Sequence, residues 1–183
     1  MKRLAAVLVS GPPATGKSTL AAALAPRLAA TILDLDVATG PLTQVLAERV
    51  GVHDLDNPLL ARLTRDARYD TLLDLAAANL RAGRPVVLVA PFTRERADPL
   101  AWAAATRRLP AADPTLVWLH LPPGELVSRL TRRAEPRDQP KIRDPATYLA
   151  ALDLNPPAVP HLPLDATHPI PTLVTSVLNH LAT

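Results

Sequence analysis

"VSGPPATGKSTL", residues 9–20, decides how this chain is read: Gly11, four further residues, then Gly16, Lys17 and Ser18. The stretch follows an apolar run, "LAAVLVS" (4–10), and leads into "KSTLAAALAPRLAA" (17–30), whose composition is helical. A glycine-rich turn between a buried strand and a helix is where backbone N–H groups and the positive end of a helix can surround a phosphate. On this reading Gly11, Ala14, Thr15, Gly16, Lys17, Ser18 and Thr19 form a nucleotide cradle. Lys17 reaches the β and γ oxygens, and the Ser18 hydroxyl ligates Mg²⁺. Pro12 and Pro13 offer no N–H. They fit if the donors come from residues 14–19 and the prolines only stiffen the outgoing arc.

Composition narrows the classes. At 183 residues the chain fits one domain, 1–183, long enough to bury a real core. With 48% hydrophobic and 20% charged residues it is neither disordered nor membrane-like, and no apolar run nears the ~20 residues of a spanning helix. The absence of cysteine excludes disulfides, thiolate metal sites and cysteine nucleophiles. The five histidines stand apart, without metal-ligand spacing. The opening "MKRLAAVLVS" is basic and then apolar like a leader, but its short apolar run enters the glycine turn directly. It reads as a strand, and the expected location is cytoplasmic. The net charge of +3 favours anionic ligands, while 3% aromatics argue against a base-stacking surface for nucleic acid.

Strand and helix alternate along the chain. After the first strand and helix come "TILDLD" (31–36), a short helix "GPLTQVLAERV" (40–50) with its proline at the start, and a long amphipathic helix over 57–82, possible breaks included. A buried strand "PVVLVAPF" (85–92), the helix "DPLAWAAATRRL" (98–109), the strand "TLVWLHL" (115–121) and the helix "GELVSRLTRRA" (124–134) follow. A fifth strand is expected at 161–166 and a closing helix at 172–182. Such alternation predicts right-handed βαβ units and a parallel sheet covered on both faces, an α/β fold. Pro163 would remove a ladder hydrogen bond, so the fifth strand belongs at an edge.

"LDLD" places Asp34 and Asp36 two apart at the end of a strand, which would point both to one face, at the side where open α/β sheets bind ligands. A helix cap or a solvated turn is the alternative. Beside a phosphate cradle, one carboxylate can accept the proton of an acceptor hydroxyl and another can organise Mg²⁺ through water. Asp36 is read as the base and Asp34 as the metal's outer-shell group, with the reverse assignment open.

Together, "GPPATGKST", "LDLD", "VVLVAPFTRER" and "VWLHLPPGELVSRLTRR" resemble the small-molecule kinases of the P-loop superfamily, which include gluconate, shikimate and adenylylsulfate kinases and chloramphenicol phosphotransferase. The resemblance covers nearly the whole chain in element order. It implies a three-layer α/β/α P-loop fold, a five-stranded parallel sheet in order 2-3-1-4-5, ATP and Mg²⁺ as cofactors, and phosphoryl transfer to a small hydroxyl compound. Ala90 stands where many P-loop ATPases carry an acidic Mg²⁺ residue, which argues against a motor-type ATPase and gives Asp34 more weight.

"APFTRERADP" (90–99) resembles the substrate loop of adenylylsulfate and gluconate kinases. Phe92 would form a substrate wall, with Arg94 as an anion-binding group; the alternative is a solvated loop with one core aromatic. Arg62, Arg65 and Arg68 recur at three-residue spacing, and Arg65 and Arg68 are taken as substrate-binding candidates. "RLTRRAEPRDQPKIR" (129–143) carries six positive charges. There the family places a short lid, about 129–145, whose arginines close over the phosphates. Arg129 and Arg133 are the candidates for catalysis and nucleotide contact, and Arg137 follows. The expectation is an ATP-dependent kinase for a small metabolite or antibiotic, acting as monomer or homodimer, with Lys17, Asp36, Arg129 and Arg133 catalytic. A polynucleotide 5′-hydroxyl kinase and a non-catalytic ATP-binding regulator are the rival readings.

Overall fold

The computed structural model describes residues 3–52, 57–133 and 138–183. Five strands, β1 (Leu4–Ser10), β2 (Thr31–Asp34), β3 (Val86–Val89), β4 (Ala112–His120) and β5 (Leu162–Asp165), make one sheet in the order β2-β3-β1-β4-β5. Every pairing is parallel, and Leu8 at the centre lies between Leu88 and Leu116. The order is the one the resemblance implied. Pro163 does sit on the edge strand β5.

The helices are α1 (Lys17–Leu28), α2 (Leu35–Arg49), α3 (Pro58–Arg81), α4 (Thr93–Ala97), α5 (Pro99–Thr106), α6 (Pro123–Arg133), α7 (Gln139–Arg143), α8 (Pro145–Ala151) and α9 (Ile170–Leu181). Side chains alternate across a strand, so the continuous apolar runs feed both faces of the sheet. Ala6, Leu8, Val86 and Leu88 pack with Leu72, Ala76 and Leu80 of α3 and Ala105 of α5. Val7, Val9, Val87 and Val89 pack with Leu20 and Leu24 of α1, Leu126 and Leu130 of α6, and Leu173 and Val177 of α9. Helices therefore cover both faces, giving three layers. No described helix is long and apolar enough to cross a membrane.

Three expectations change. The second strand stops at Asp34 rather than 36, and α2 starts at Leu35, five residues before the expected position, so Pro41 lies inside the helix. The long helix α3 runs unbroken over 24 residues, started by the Asn57 cap and Pro58. Short helices occupy segments read as loop: α4 lies within "PFTRERA", and α7 and α8 lie after α6.

The loop leaving β1 is held against β4 at one glycine. Gly11 has φ +151°, and a Cβ added there would come 2.5 Å from the Leu119 carbonyl oxygen and 2.9 Å from Thr15 Oγ1. Gly40 in α2 has nothing within 4 Å of the same position. Gly11→Ala should destabilise the protein by about 3 kcal/mol, a Tm loss of roughly 6 °C or more, through strain and backbone overlap. Gly40→Ala should stabilise by about 0.5–1 kcal/mol by removing helix-interior glycine entropy. Calorimetric melting of the two variants checks both signs.

Candidate functional site

The loop after β1 curls through three left-handed residues, Gly11 (φ 151°), Ala14 (φ 61°) and Gly16 (φ 89°), before α1 begins. Lys17 folds back over it: Nζ donates to the carbonyls of Gly11 and Pro12, both at 2.9 Å. Thr15 Oγ1 donates to the same Pro12 carbonyl at 2.8 Å. Pro12 thus serves the loop through its carbonyl, which accepts from both Lys17 and Thr15. Gly16, the N-cap of α1, supplies no side-chain cap, so the first-turn N–H groups are left for an incoming anion.

Asp34 links this loop to the neighbouring strand. Its Oδ2 accepts from Ser18 Oγ at 2.9 Å, while Oδ1 caps α2 by accepting from the N–H of Asp36 (3.0 Å) and of Val37 (3.5 Å). The expectation that Asp34 and Asp36 project from one strand face is therefore corrected. Asp34 ends β2 and is the N-cap, Leu35 turns into the core, and Asp36 sits in the first turn of α2. Both carboxylates still border one cleft, brought there by the cap and not by strand alternation. Asp36 Oδ1 pairs with Arg68 Nη2 at 2.6 Å, and Arg68 Nε donates to Thr39 Oγ1 at 2.8 Å.

The cleft has a volume of about 770 Å³. Ala14, Gly16, Lys17, Ser18 and Thr19 line it together with Asp34, Asp36, Arg65, Arg68 and Tyr69, and with Arg129, Arg132 and Arg133 of α6. Gly11 and Thr15 shape the loop from behind and do not line it. Ala90, just past β3, is on its wall.

Arg65 is locked in place. Its Nη2 reaches both oxygens of Glu95 at 3.0 and 2.9 Å, and its guanidinium lies 4.3 Å from the centre of the Tyr69 ring. Glu95 is buried at 4% exposure, so this pair crosses from α3 to α4 inside the protein. Tyr69 accepts the Phe92 N–H at 2.9 Å through its hydroxyl. Burial pushes its phenol far above the usual range, with Glu95 adding to the rise against Arg65, the Phe92 N–H and Arg68. Burial thus favours the neutral hydroxyl that accepts the Phe92 N–H.

Two substrate candidates lie elsewhere. Phe92 is wholly buried, with its ring edge-on to Tyr69 at 5.7 Å, so the lone phenylalanine is core and does not wall the cleft. Its backbone takes a left-handed φ of 46°, which turns the chain from β3 into α4. Arg94 is exposed, pairs with Asp66 at 3.1 Å, and does not line the cleft. Arg62 is exposed and outside it as well. In the lid region, Arg129 Nη2 donates to the Ala166 carbonyl at 2.6 Å, and Arg133 makes a two-point contact with the buried Asp138 at 2.7 and 2.8 Å. Arg137 lies outside the described residues.

Sequence reasoning missed Tyr69, Glu95 and Arg132. Arg132 belongs to the same charge run as Arg129, at helical i+3 spacing, and could have been picked from it. Glu95 and Tyr69 had no such signal, because their roles rest on contacts with residues about 30 positions away. Among the described residues no group of three or more His, Cys, Asp or Glu could hold a metal ion. Ser18 and Asp34 are the oxygen pair beside the cradle, which suits a cation that keeps waters and takes the rest of its ligands from phosphates.

A family model described as an AAA domain matches residues 7–153. The chain belongs to the AAA domain family. No curated protein sequence matches this AAA domain. Solved structures do: a sugar kinase from Janibacter sp. HTCC2649 (17% identity, TM-score 0.69, 98% of this chain and 95% of that one) and a gluconokinase from Sinorhizobium meliloti 1021 (19%, 0.62, 100% and 94%). The APS kinase of Mycobacterium tuberculosis, solved with AMPPNP and APS, matches at 18% identity and TM-score 0.68 over 100% of both chains. At these identities the AAA domain shares their fold. The matched family, the sheet order and these neighbours agree with the resemblance to P-loop small-molecule kinases.

The Arg65–Glu95 pair generates a stability prediction. Glu95→Gln leaves a largely buried guanidinium short of its counter-charge. The expected loss is about 2–3 kcal/mol in urea unfolding, below the full buried-pair figure because Arg65 keeps some solvent contact. Arg65→Met combined with Glu95→Leu should recover most of it.

Proposed function

We propose that this AAA domain is an ATP-dependent phosphotransferase that moves the γ-phosphoryl group of ATP to a hydroxyl of a small molecule. The observation that carries the reading is the Ser18–Asp34 hydrogen bond at 2.9 Å, with Lys17 on one side and Asp36 on the other, bordering one cleft. A phosphate cradle alone would suit any nucleotide binder. A carboxylate bordering the same cleft, held by Arg68, supplies the group that could take a proton from an acceptor hydroxyl.

The roles follow from position. The loop amides from residues 14–19 and the uncapped N-terminus of α1 receive the phosphates, and Lys17 leaves its two carbonyls for the β and γ oxygens. Ser18 and Asp34 are the residues that would hold Mg²⁺, Ser18 directly and Asp34 through water; bound there, the ion would neutralise charge on the β and γ oxygens. Asp36, fixed by Arg68, accepts the acceptor's hydroxyl proton as the new oxygen–phosphorus bond forms and the bond to the β,γ-bridging oxygen breaks, releasing ADP. Arg129, Arg132 and Arg133 line the cleft, where they can meet the charge of the group in transit. Arg132 makes no ion pair with a described residue, and it joins Arg129 and Arg133 as a candidate for that contact. Arg65, Arg68 and Tyr69 form the acceptor side. The low aromatic content favours a small acceptor over a nucleic acid, and the protein is read as a cytoplasmic single domain with a lid near 129–145.

An ATP-consumption screen across sugar acids, neutral sugars, nucleosides and hydroxyl-bearing antibiotics tests the reading. An acceptor-dependent ADP signal is expected, with Lys17→Ala reducing it to background. Asp36→Asn should remove transfer while leaving ATP affinity within a few-fold, and alanine at the arginine that meets the transferred group should cost roughly 10³-fold in kcat. ATP binding with no acceptor-dependent turnover, unchanged in Asp36→Asn, would instead mark a nucleotide-binding regulator.

A further inference from the structure

A second cavity opens beside the main cleft and has no part in the roles above. It measures about 250 Å³ and shares Pro13, Lys17, Pro91 and Thr93 with the border of the cleft, so it branches from the point where the acceptor and the phosphates meet. Its remaining walls are largely apolar, with Pro12, Leu152 and the indole of Trp118 among them. Arg96 lines it too, with both terminal nitrogens of its guanidinium engaged and Nε buried without a hydrogen-bond partner. It lies 4.4 Å from the Trp118 ring centre, donates to the carbonyls of Asp153 (2.7 Å) and Asn155 (2.9 Å), and pairs with Asp153 Oδ2 at 2.8 Å. Burial raises the Asp153 carboxyl, yet the Asn155 N–H, the Arg96 charge and the Asn155 side chain together hold it below the ordinary range, so it stays ionised opposite Arg96.

The same matching recurs across the acceptor side. Arg65 is paired with Glu95, Arg68 with Asp36 and Arg96 with Asp153. At Arg65, Arg68 and Arg96 an acceptor carrying its own anion would compete with these carboxylates, and displacing one would leave a charge uncompensated. An uncharged acceptor makes no such demand, and its apolar body finds a largely apolar recess walled by Pro12, Leu152 and Trp118.

We propose that the cavity over Trp118 is the subsite for the apolar body of an uncharged hydroxyl acceptor, and that the site selects against carboxylate-bearing acceptors. The proposal rests on the phosphotransferase reading and narrows its substrate class. A binding readout separates the two, because it needs no turnover.

The chain has two tryptophans, so Trp102→Phe leaves Trp118 as the only indole in the full-length protein. Its emission is followed while the protein, with and without AMPPNP, is titrated with matched pairs differing only in CH₂OH against carboxylate. The pairs are phenyl-1,2-ethanediol and mandelate, tyrosol and 4-hydroxyphenylacetate, and glucose and glucuronate. Saturable change is expected with the aromatic alcohols, at least about tenfold tighter than with their carboxylates, and weaker with glucose, which lacks an apolar body. Leu152→Phe, which fills the recess, should weaken the alcohols by about tenfold or more and leave AMPPNP affinity unchanged. If that variant folds poorly, Leu152→Ala must still loosen the alcohols without touching the nucleotide. Equal or tighter binding of the carboxylates, or no response of Trp118 to any alcohol while AMPPNP binds, overturns the proposal. ATP binding and an alcohol response without phosphoryl transfer would instead defeat the phosphotransferase reading and leave the subsite standing.

Discussion

The two oxygens of the Asp34 carboxylate hold the site together. One accepts the Ser18 hydroxyl, tying the first turn of α1 to the end of β2, and the other caps α2. A single side chain thus fixes how the phosphate loop stands against the helix that carries Asp36. Because α2 is started by that cap, Asp36 falls in its first turn and reaches Arg68 of α3. The acceptor end of the cleft therefore inherits its geometry from a capping interaction. Each added contact, from Arg68 to Thr39 and from Thr39 Oγ1 to the Leu35 carbonyl at 2.6 Å, stiffens the same corner.

Around that corner the protein balances charge locally. The net +3 of the chain suggests a cleft open to anions, but many of the arginines reaching it from the acceptor side carry a carboxylate partner. Arg65 is held by Glu95, which also stands behind Tyr69, so α3, α4 and the turn at Phe92 are joined by one buried set of contacts. Arg129, Arg132 and Arg133 of α6 border the same cleft, Arg133 paired with the buried Asp138 and Arg129 donating to the Ala166 carbonyl. On the phosphotransferase reading proposed above, these cations would attract a triphosphate without requiring the acceptor to be an anion.

Much of the fold was legible in the sequence where a local rule operates. The apolar runs at 4–10 and 85–92 marked two central strands, the second ending at Val89, the glycine motif marked the turn from β1 into α1, and Pro163 marked an edge. The reading failed at "LDLD" for an instructive reason. Period-two spacing and N-capping both fit Asp34, and the structure takes the cap, with Oδ1 accepting the Asp36 and Val37 N–H groups while Leu35 enters the core. Phe92 was misread because rarity in the sequence was taken as a sign of function, whereas a fully buried ring against Tyr69 is packing. The partners Glu95, Tyr69 and Asp153 lay beyond reach, since nothing in spacing or composition indicates which carboxylate answers which arginine across 30 to 60 residues.

The central claim is that the loop around Gly16 grips a triphosphate whose terminal phosphorus faces the Asp36 carboxylate across the Ser18–Asp34 corner. A crystal structure with AMPPNP and Mg²⁺ tests it most directly. The account predicts the β-phosphate within the loop amides, the ion on Ser18 Oγ with Asp34 reaching it through water, and Asp36 on the open side of the γ-phosphorus. A nucleotide bound away from the loop, or a γ-phosphorus with both aspartates turned from it, would contradict the account.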